Sequence, residues 1–414
     1  MRVRLCEGER QVLKRREPIR VSAWAERHRV VTASRYPGSW RNDLMPHLTG
    51  IMDALAFPSV RTGIICKPPQ SGGTEGIYNF LGNRIDRDPG PAMIVFPDSV
   101  TGRENMNDRI LPMIEDSKRL SEYLTGYEDD KASIRIKLKH MPIYLAWAGS
   151  ASRLGNKPIK HLIFDEADKY VEHSSKRETD PIRLGEKRVI TFQYDHKVIK
   201  LSTPTIEFAP IWQALIHEAQ VVFDYWMPCP GCGEYQIMLD ENIHWDEVEG
   251  EDGKPTDPEP GDVKLMDLAW YTCPHCGCMW NDAWRDRAAA AGEWRSWYKE
   301  SAKWADVKRG DKPDRAIELF KYLETYRPRK IGFHYTSWIT RFTDISTAAA
   351  ACIEGKRSRD AEKDYCNAHK AMPWKQTLVV SVDETHLLAA KCALEPQTVP
   401  DTAVAVEMIL SPGE

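Results

Sequence analysis

The sequence predicts an α/β fold, a mostly parallel sheet with helices on both faces, joined to a small second module. Three observations carry this. Between residue 60 and about residue 205, short apolar runs each end in a loop and often feed a helical segment. The first run opens into the glycine-containing stretch KPPQSGGTEG, residues 67–76. Beyond residue 220 the chain turns aromatic and irregular and carries two Cys-x-x-Cys pairs.

The apolar runs are TGIIC at 62–66, AMIVF at 92–96, IYLAW at 143–147, HLIF at 161–164 and VIKL at 198–201. Continuous rather than alternating apolar strands suit a parallel sheet buried on both faces. After the first run, Ile77, Phe80, Leu81 and Ile85 recur at helical spacing and predict a helix with one core-facing side. A chain of 414 residues, 42% hydrophobic, suffices for one large core and a smaller module. The net charge of -4 neither announces nor excludes nucleic acid. Residues 1–37 carry ten Lys/Arg against four Glu, a basic arm suited to phosphate or simply solvated. No apolar run approaches membrane-spanning length and the first residues lack the apolar core of a signal peptide, so a soluble intracellular protein is expected.

The loop after the first strand lacks the lysine of G-x-x-x-x-G-K-[ST], because Gly73 stands before Thr74. A phosphate loop needs backbone N–H groups at a helix N-terminus, a hydroxyl for Mg²⁺ and one ammonium for the β/γ oxygens. Nothing in that requirement fixes which end of the loop supplies the ammonium. Lys67, at the exit of the strand, begins K-x-x-x-x-G-x-T and has a stem long enough to cross a compact loop; otherwise it caps a surface strand and the loop is dead. Asp165 and Glu166 follow the 161–164 run, where an Asp can hold Mg²⁺ and an adjacent Glu can polarise an attacking water. Acidic residues at strand ends are often merely solvated; here they follow Thr74 by 91 residues with strands between. Ser202 and Thr203 end the next strand, where hydroxyls can sense a γ-phosphate or form an ordinary turn.

Cys229 and Cys232, in CPGC, and Cys273 and Cys276, in CPHC, each have glycine following. Two such knuckles can close a tetrahedral zinc site, against a redox pair or four buried thiols as the other readings. His275 and Cys278 stand outside the expected ligand set. Between the knuckles, residues 246–262 hold eight acidic residues, one lysine and three prolines, and are expected to form a mobile, solvated loop.

Lys67 through Thr74 resembles the deviant Walker A motif of lambda-type (GpA-like) phage terminase large subunits, in which the lysine stands at the start of the loop. Residues 37–55 resemble the family segment that leads into the ATPase sheet and lies near the adenine. Asp165-Glu166 fits its Walker B and catalytic glutamate, LSTPT at 201–205 its coupling motif, and residues 178–188 a stretch between. The resemblance runs from about residue 20 to about residue 375. It implies a P-loop NTPase of the RecA-like kind that uses ATP and Mg²⁺, with Lys67, Asp165 and Glu166 catalytic. Gln70, Ser71, Gly72, Gly73, Thr74 and Glu75 would line the nucleotide, and Ser202 and Thr203 would couple hydrolysis to movement. Trp40, Arg41 and His47 are adenine candidates by position, and Arg103, Arg109 and Arg153 are candidates for a charge-neutralising arginine. The implied activity is packaging of double-stranded viral DNA into a procapsid in the host cytoplasm, with a small terminase subunit, a portal and further copies of the chain as partners.

The expected division is a basic arm (1–36), an ATPase domain (37–222), a Cys₄ zinc-ribbon-like insertion (223–300), the rest of the ATPase or a linker (301–375) and a truncated start of a nuclease domain or a tail (376–414). That tail begins as the family's nuclease domain might, without the acidic cluster of a two-metal site, so cleavage is not expected. Two other readings stand beside this one. Asp165-Glu-Ala-Asp168 spells a helicase DEAD box, but no second RecA-like half with an arginine-rich motif follows. A degenerate remnant would keep only a zinc module that binds a partner or DNA.

Overall fold

The computed structural model describes residues 18–32, 36–170, 180–250, 253–298 and 315–375. A 12-stranded sheet organises them. Its centre is parallel and runs in the spatial order Val221–Pro228, Lys330–His334, Thr62–Cys66, Lys197–Ser202, His161–Asp165, Ala92–Phe96, Pro142–Trp147. Antiparallel strands finish both sides: Glu293–Tyr298 and Arg315–Glu318 at one, Arg135–Lys137 and Lys131–Ala132 at the other. All five expected runs are strands of this sheet.

Strand alternation explains why the runs are apolar throughout. Ile94, Leu145, Ile163 and Ile199 enter the larger core on one face, while Met93, Val95, Leu162, Phe164 and Val198 enter a second on the other. Even the lysines of the Lys197–Ser202 strand are buried. Lys200 is neutralised by Glu186 and Glu218 at 2.9 Å each, and the Lys197 ammonium donates to the carbonyls of Phe57 and Val60. The expected helix is Gly73–Arg87, with Ile77, Phe80, Leu81 and Ile85 all in the core. No helix among the described residues is long and apolar enough to cross a membrane.

Three expectations are corrected. The boundary at 222 falls inside a strand of the sheet, Val221–Pro228, while Lys330–His334, in the segment expected to be the rest of the ATPase or a linker, pairs directly with Thr62–Cys66. The cysteine-bearing segment is thus an excursion between two adjacent strands, Val221–Pro228 and Glu293–Tyr298. The arm ends earlier than expected, since the helix Val21–His28 buries Val21, Trp24 and Ala25 completely; residues 1–17 lie outside the described set, as does the tail from 376. Finally, the acidic stretch is anchored. Val248–Glu249 pairs with Pro255–Thr256, Asp257 accepts from Trp245 and Lys356 at 2.9 and 2.7 Å, and Glu259 pairs with Arg357 at 2.9 Å. Cations late in the helix Ile345–Arg357 supply the charge that its composition lacked.

Candidate functional site

The loop, the Asp-Glu pair and the Ser-Thr segment all leave the sheet at its C-terminal edge, where ligands bind in open parallel sheets. The Lys67 amide donates to the Ser202 carbonyl at 3.1 Å, which locks the start of the loop to the neighbouring strand. The Lys67 side chain then crosses the loop. Its ammonium reaches Glu166 Oε1 at 3.1 Å, and the side chain is only 5% exposed. On the way its stem passes over Gly73, where an added Cβ would lie 2.4 Å from Lys67 Cδ. The glycine in the ordinary lysine's place therefore makes room for the relocated one.

Thr74 Oγ1 donates to Asp165 Oδ1 at 3.5 Å, so a hydroxyl and a carboxylate face each other across the loop. Burial pushes the Asp165 carboxyl up to about 6, opposed by Lys67. Burial also acts upward on Glu166, but the ammoniums of Lys67 and Lys169 prevail and hold it below its usual value. One carboxyl that titrates near neutrality and one held ionised thus stand side by side at a strand end. Glu166 itself is in the left-handed region, at φ 53°. This turn sets its side chain toward the loop.

Other expected contacts resolve differently. Ser71 Oγ donates to the Pro68 carbonyl at 2.8 Å and shares a hydrogen bond with the Tyr335 hydroxyl at 3.0 Å, so it braces the loop from beneath. Gln70 takes a left-handed φ of 53° at the loop's bend, and Gly72 follows at 76°. Glu75 is held by Arg29 at 2.7 Å and Arg109 at 3.3 Å. Trp40 is buried and donates its indole N–H to Asn42, while Arg41 is exposed and paired with Asp43. Arg153 lies over the Trp147 ring and Arg103 is exposed.

His47 is not a surface for a base. It is fully buried between Tyr335 and Tyr225, and donates from Nε2 to the Ser71 carbonyl at 3.4 Å. Burial lowers its pKa to about 4. The unfolded chain, with histidine near 6.5, takes up the proton first, so this contribution to stability is lost as pH falls from 6.5 toward 4. At pH 5 the loss is about 2 kcal/mol. Denaturant unfolding of wild type and His47→Gln at pH 7.5 and pH 5 is expected to show a smaller acid loss in the variant by about that amount. Equal losses would mean that His47 is charged in the fold. Asp165 and Asp168, whose raised values act in the opposite sense, are common to both proteins and cancel.

Two residues escaped the sequence reading. Tyr335 directly follows the distant strand Lys330–His334, and nothing in its local sequence links it to the loop. Asp168, burial-raised to about 6, accepts from the backbone of Thr205 and Ile211. Its signal was the second aspartate of DEAD, a spelling without a stated partner.

A second cluster lies in the excursion. One Sγ from each of Cys229, Cys232, Cys273 and Cys276 lies within 4.8 Å of the others, and Cys229 and Cys276 are 3.8 Å apart. A tetrahedron with Zn–S bonds of about 2.3 Å has edges of about 3.8 Å, so the thiols fit zinc. The knuckles repeat one another. Gly233 and Gly277 donate to the carbonyls of Cys229 and Cys273 at 2.8 Å each, and both glycines have left-handed φ. Cys229 and Cys273 then donate to the carbonyls of Glu234 and Cys278 at 2.9 Å each.

A buried lysine crossing a glycine loop at a helix N-terminus, before an Asp-Glu pair on a parallel strand, is an arrangement suited to a polyphosphate. Residues 34–294 match the family "Phage terminase large subunit gpA, ATPase domain", and the chain belongs to that family. This does not favour the helicase reading. Over 382 residues the chain is 20% identical to the terminase large subunit of Enterobacteria phage P21, covering 90% of this chain and 55% of that protein. It thus spans about half the length of that curated relative. Among solved structures it is similar to the HK97 bacteriophage large terminase (TM-score 0.37, 16% identity, 48% of this chain and 40% of that one). It is also similar to the Thermus phage P74-26 large terminase ATPase domain (TM-score 0.31, 16% identity, 47% and 80%).

Proposed function

We propose that this chain is the ATPase motor portion of a viral terminase, which couples ATP hydrolysis to packaging of double-stranded DNA into a procapsid. The observation that carries the reading is the Lys67 ammonium crossing the loop to Glu166. In this role Lys67 neutralises the β/γ oxygens, and the backbone N–H groups from Gly72 to Glu75, opening a 15-residue helix, cradle the phosphates. Thr74 and Asp165 offer the hard oxygen donors that suit Mg²⁺, which when bound screens phosphate charge. Glu166, ionised and at the mouth of the loop, orients the attacking water. Ser202 ends the strand that lies between those of the loop and the Asp-Glu pair, and Thr203 follows it; in this reading the two register both.

A polyanionic substrate is supported at the other side of the sheet. Lys157 stands 3.7 Å from the centre of the Tyr144 ring and Arg153 stands 4.7 Å from that of Trp147. Burial, then the neighbouring guanidiniums of Arg135 and Arg153, depress Lys157 below its usual range. Cations that repel one another over aromatic rings gain from a phosphate backbone. The Cys₄ cluster holds Zn²⁺ in this reading. Small subunit, portal and further copies of the chain are the partners the family suggests.

ATP hydrolysis with and without linear double-stranded DNA tests the function. Stimulation by DNA is expected, and Glu166→Gln should abolish turnover while ATP still binds. A chain that binds no ATP would be a remnant, and strand separation of a short duplex would restore the helicase reading.

A further inference from the structure

The turn that carries Glu166 is tied to the 202–211 segment by the carboxylate and the amide of Asp168. Asp168 Oδ1 accepts from the Ile211 amide at 2.7 Å, and Oδ2 accepts from the Thr205 amide at 3.0 Å and its hydroxyl at 3.3 Å. The Asp168 amide donates to Ser202 Oγ at 3.2 Å. Ser202 in turn accepts the Lys67 amide on its carbonyl. On the far side, the Thr205 carbonyl accepts from the Trp374 amide at 2.9 Å, and Ile206 forms a parallel bridge with Trp374. A continuous hydrogen-bonded line therefore runs from Lys67 through Ser202, Asp168 and Thr205 to Trp374.

We propose that Asp168 is a positioning residue that fixes the Glu166 turn to the 202–211 segment and carries its displacement to Trp374. This rests on the ATPase reading and adds a residue and a direction to the coupling expected of Ser202 and Thr203. The chemistry requires a carboxylate. Both oxygens accept from N–H groups, and both are engaged at once. An amide would leave one N–H facing an NH₂ donor. Any nucleotide-dependent shift of Glu166, two residues away, must move Asp168 or break these bonds. The same applies in reverse to a pull on Thr205.

The test compares wild type with Asp168→Asn using a non-hydrolysable ATP analogue with Mg²⁺. Three readouts are needed: analogue affinity, steady-state hydrolysis, and amide exchange at residues 371–375. In wild type the analogue is expected to slow exchange at the Trp374 amide. In Asp168→Asn this response should disappear, and kcat should fall about tenfold with the analogue's Kd and the KM for ATP within about threefold. A merely structural aspartate would lower stability without dividing kcat from KM. A variant that binds, hydrolyses and protects Trp374 like wild type overturns the proposal. Should Asp168→Asn fail to fold, Thr205→Val removes only the hydroxyl bond and must weaken the Trp374 response; an unchanged response overturns it equally. Failure of wild type itself to bind the analogue would instead sink the ATPase reading, so the two failures are distinguishable.

Discussion

Lys67→Ala is expected to lower ATP hydrolysis by about a hundredfold or more, because it removes a buried ammonium beside the loop from a site where preorganised charge supplies most of the barrier reduction. The decisive form of the experiment moves the lysine instead of deleting it. Gly73→Lys alone should inactivate, since its Cβ would meet the Lys67 stem at 2.4 Å. The double change Lys67→Gly with Gly73→Lys clears that collision and writes G-P-P-Q-S-G-K-T, the ordinary motif, into the same strand, loop and helix. It is expected to recover part of the activity lost in either single variant, a coupling that independent sites do not show. The new Cβ would lie 3.3 Å from the Tyr335 hydroxyl, so recovery should be incomplete and should improve when Tyr335→Phe is added. Wild-type turnover in Lys67→Ala, measured at saturating ATP, would end the idea of a relocated lysine.

What could be seen beforehand follows the range of the interactions. The five apolar runs were legible because burial on both sheet faces writes itself into every residue of a strand. The cysteine knuckles were legible because four ligands within two short turns are set by local spacing. The strand Lys330–His334 was not, since Lys-Ile-Gly-Phe-His is no unbroken apolar run and its two alternating apolar residues, Ile331 and Phe333, are too few to mark a strand. Its place beside Thr62–Cys66 is fixed by pairing across more than two hundred residues of chain. Tyr335 went unseen with it, although its hydroxyl braces Ser71. His47 misled in the other direction. A histidine in a segment that borders the loop invites a ligand role, but its burial against Tyr335, Tyr225 and the Ser71 carbonyl is a tertiary fact. Asp168 shows the same limit from within a motif. Its letter was visible, while its three donors come from residues 205 and 211, whose approach only the sheet order explains.

Removal of the zinc proposed for the Cys₄ cluster is the second large perturbation expected, and its reach follows from how the module is anchored. The strand Val221–Pro228 runs without a break into Cys229, and the return to the sheet passes through the helix Asp282–Ala290. Tyr271, Trp280, Met238 and Val263 of the excursion belong to the same apolar cluster as the main sheet, and Trp338 donates to the Met238 carbonyl at 2.9 Å. Loss of the metal should therefore loosen a sheet border as well as a peripheral knob. With structural zinc worth about 10 kcal/mol or more in small modules, a fall in Tm on the order of 10 °C is expected on chelation, together with one zinc per chain by metal analysis. The four ligands should not be equivalent. Cys273 is buried and accepts from Gln236 at 3.5 Å, so Cys273→Ser should lose the metal outright. Cys276 is exposed, and Cys278 has its Sγ against the first knuckle, 3.0 Å from where a Cβ on Gly231 would stand. Cys276→Ser is accordingly expected to retain most of the zinc, with Cys278 supplying the fourth thiolate, and Cys276→Ser with Cys278→Ser to lose it. Equal loss in the two single variants would show that Cys278 cannot reach the ion, and an unchanged Tm in metal-free protein would show that the module is held by its apolar contacts alone.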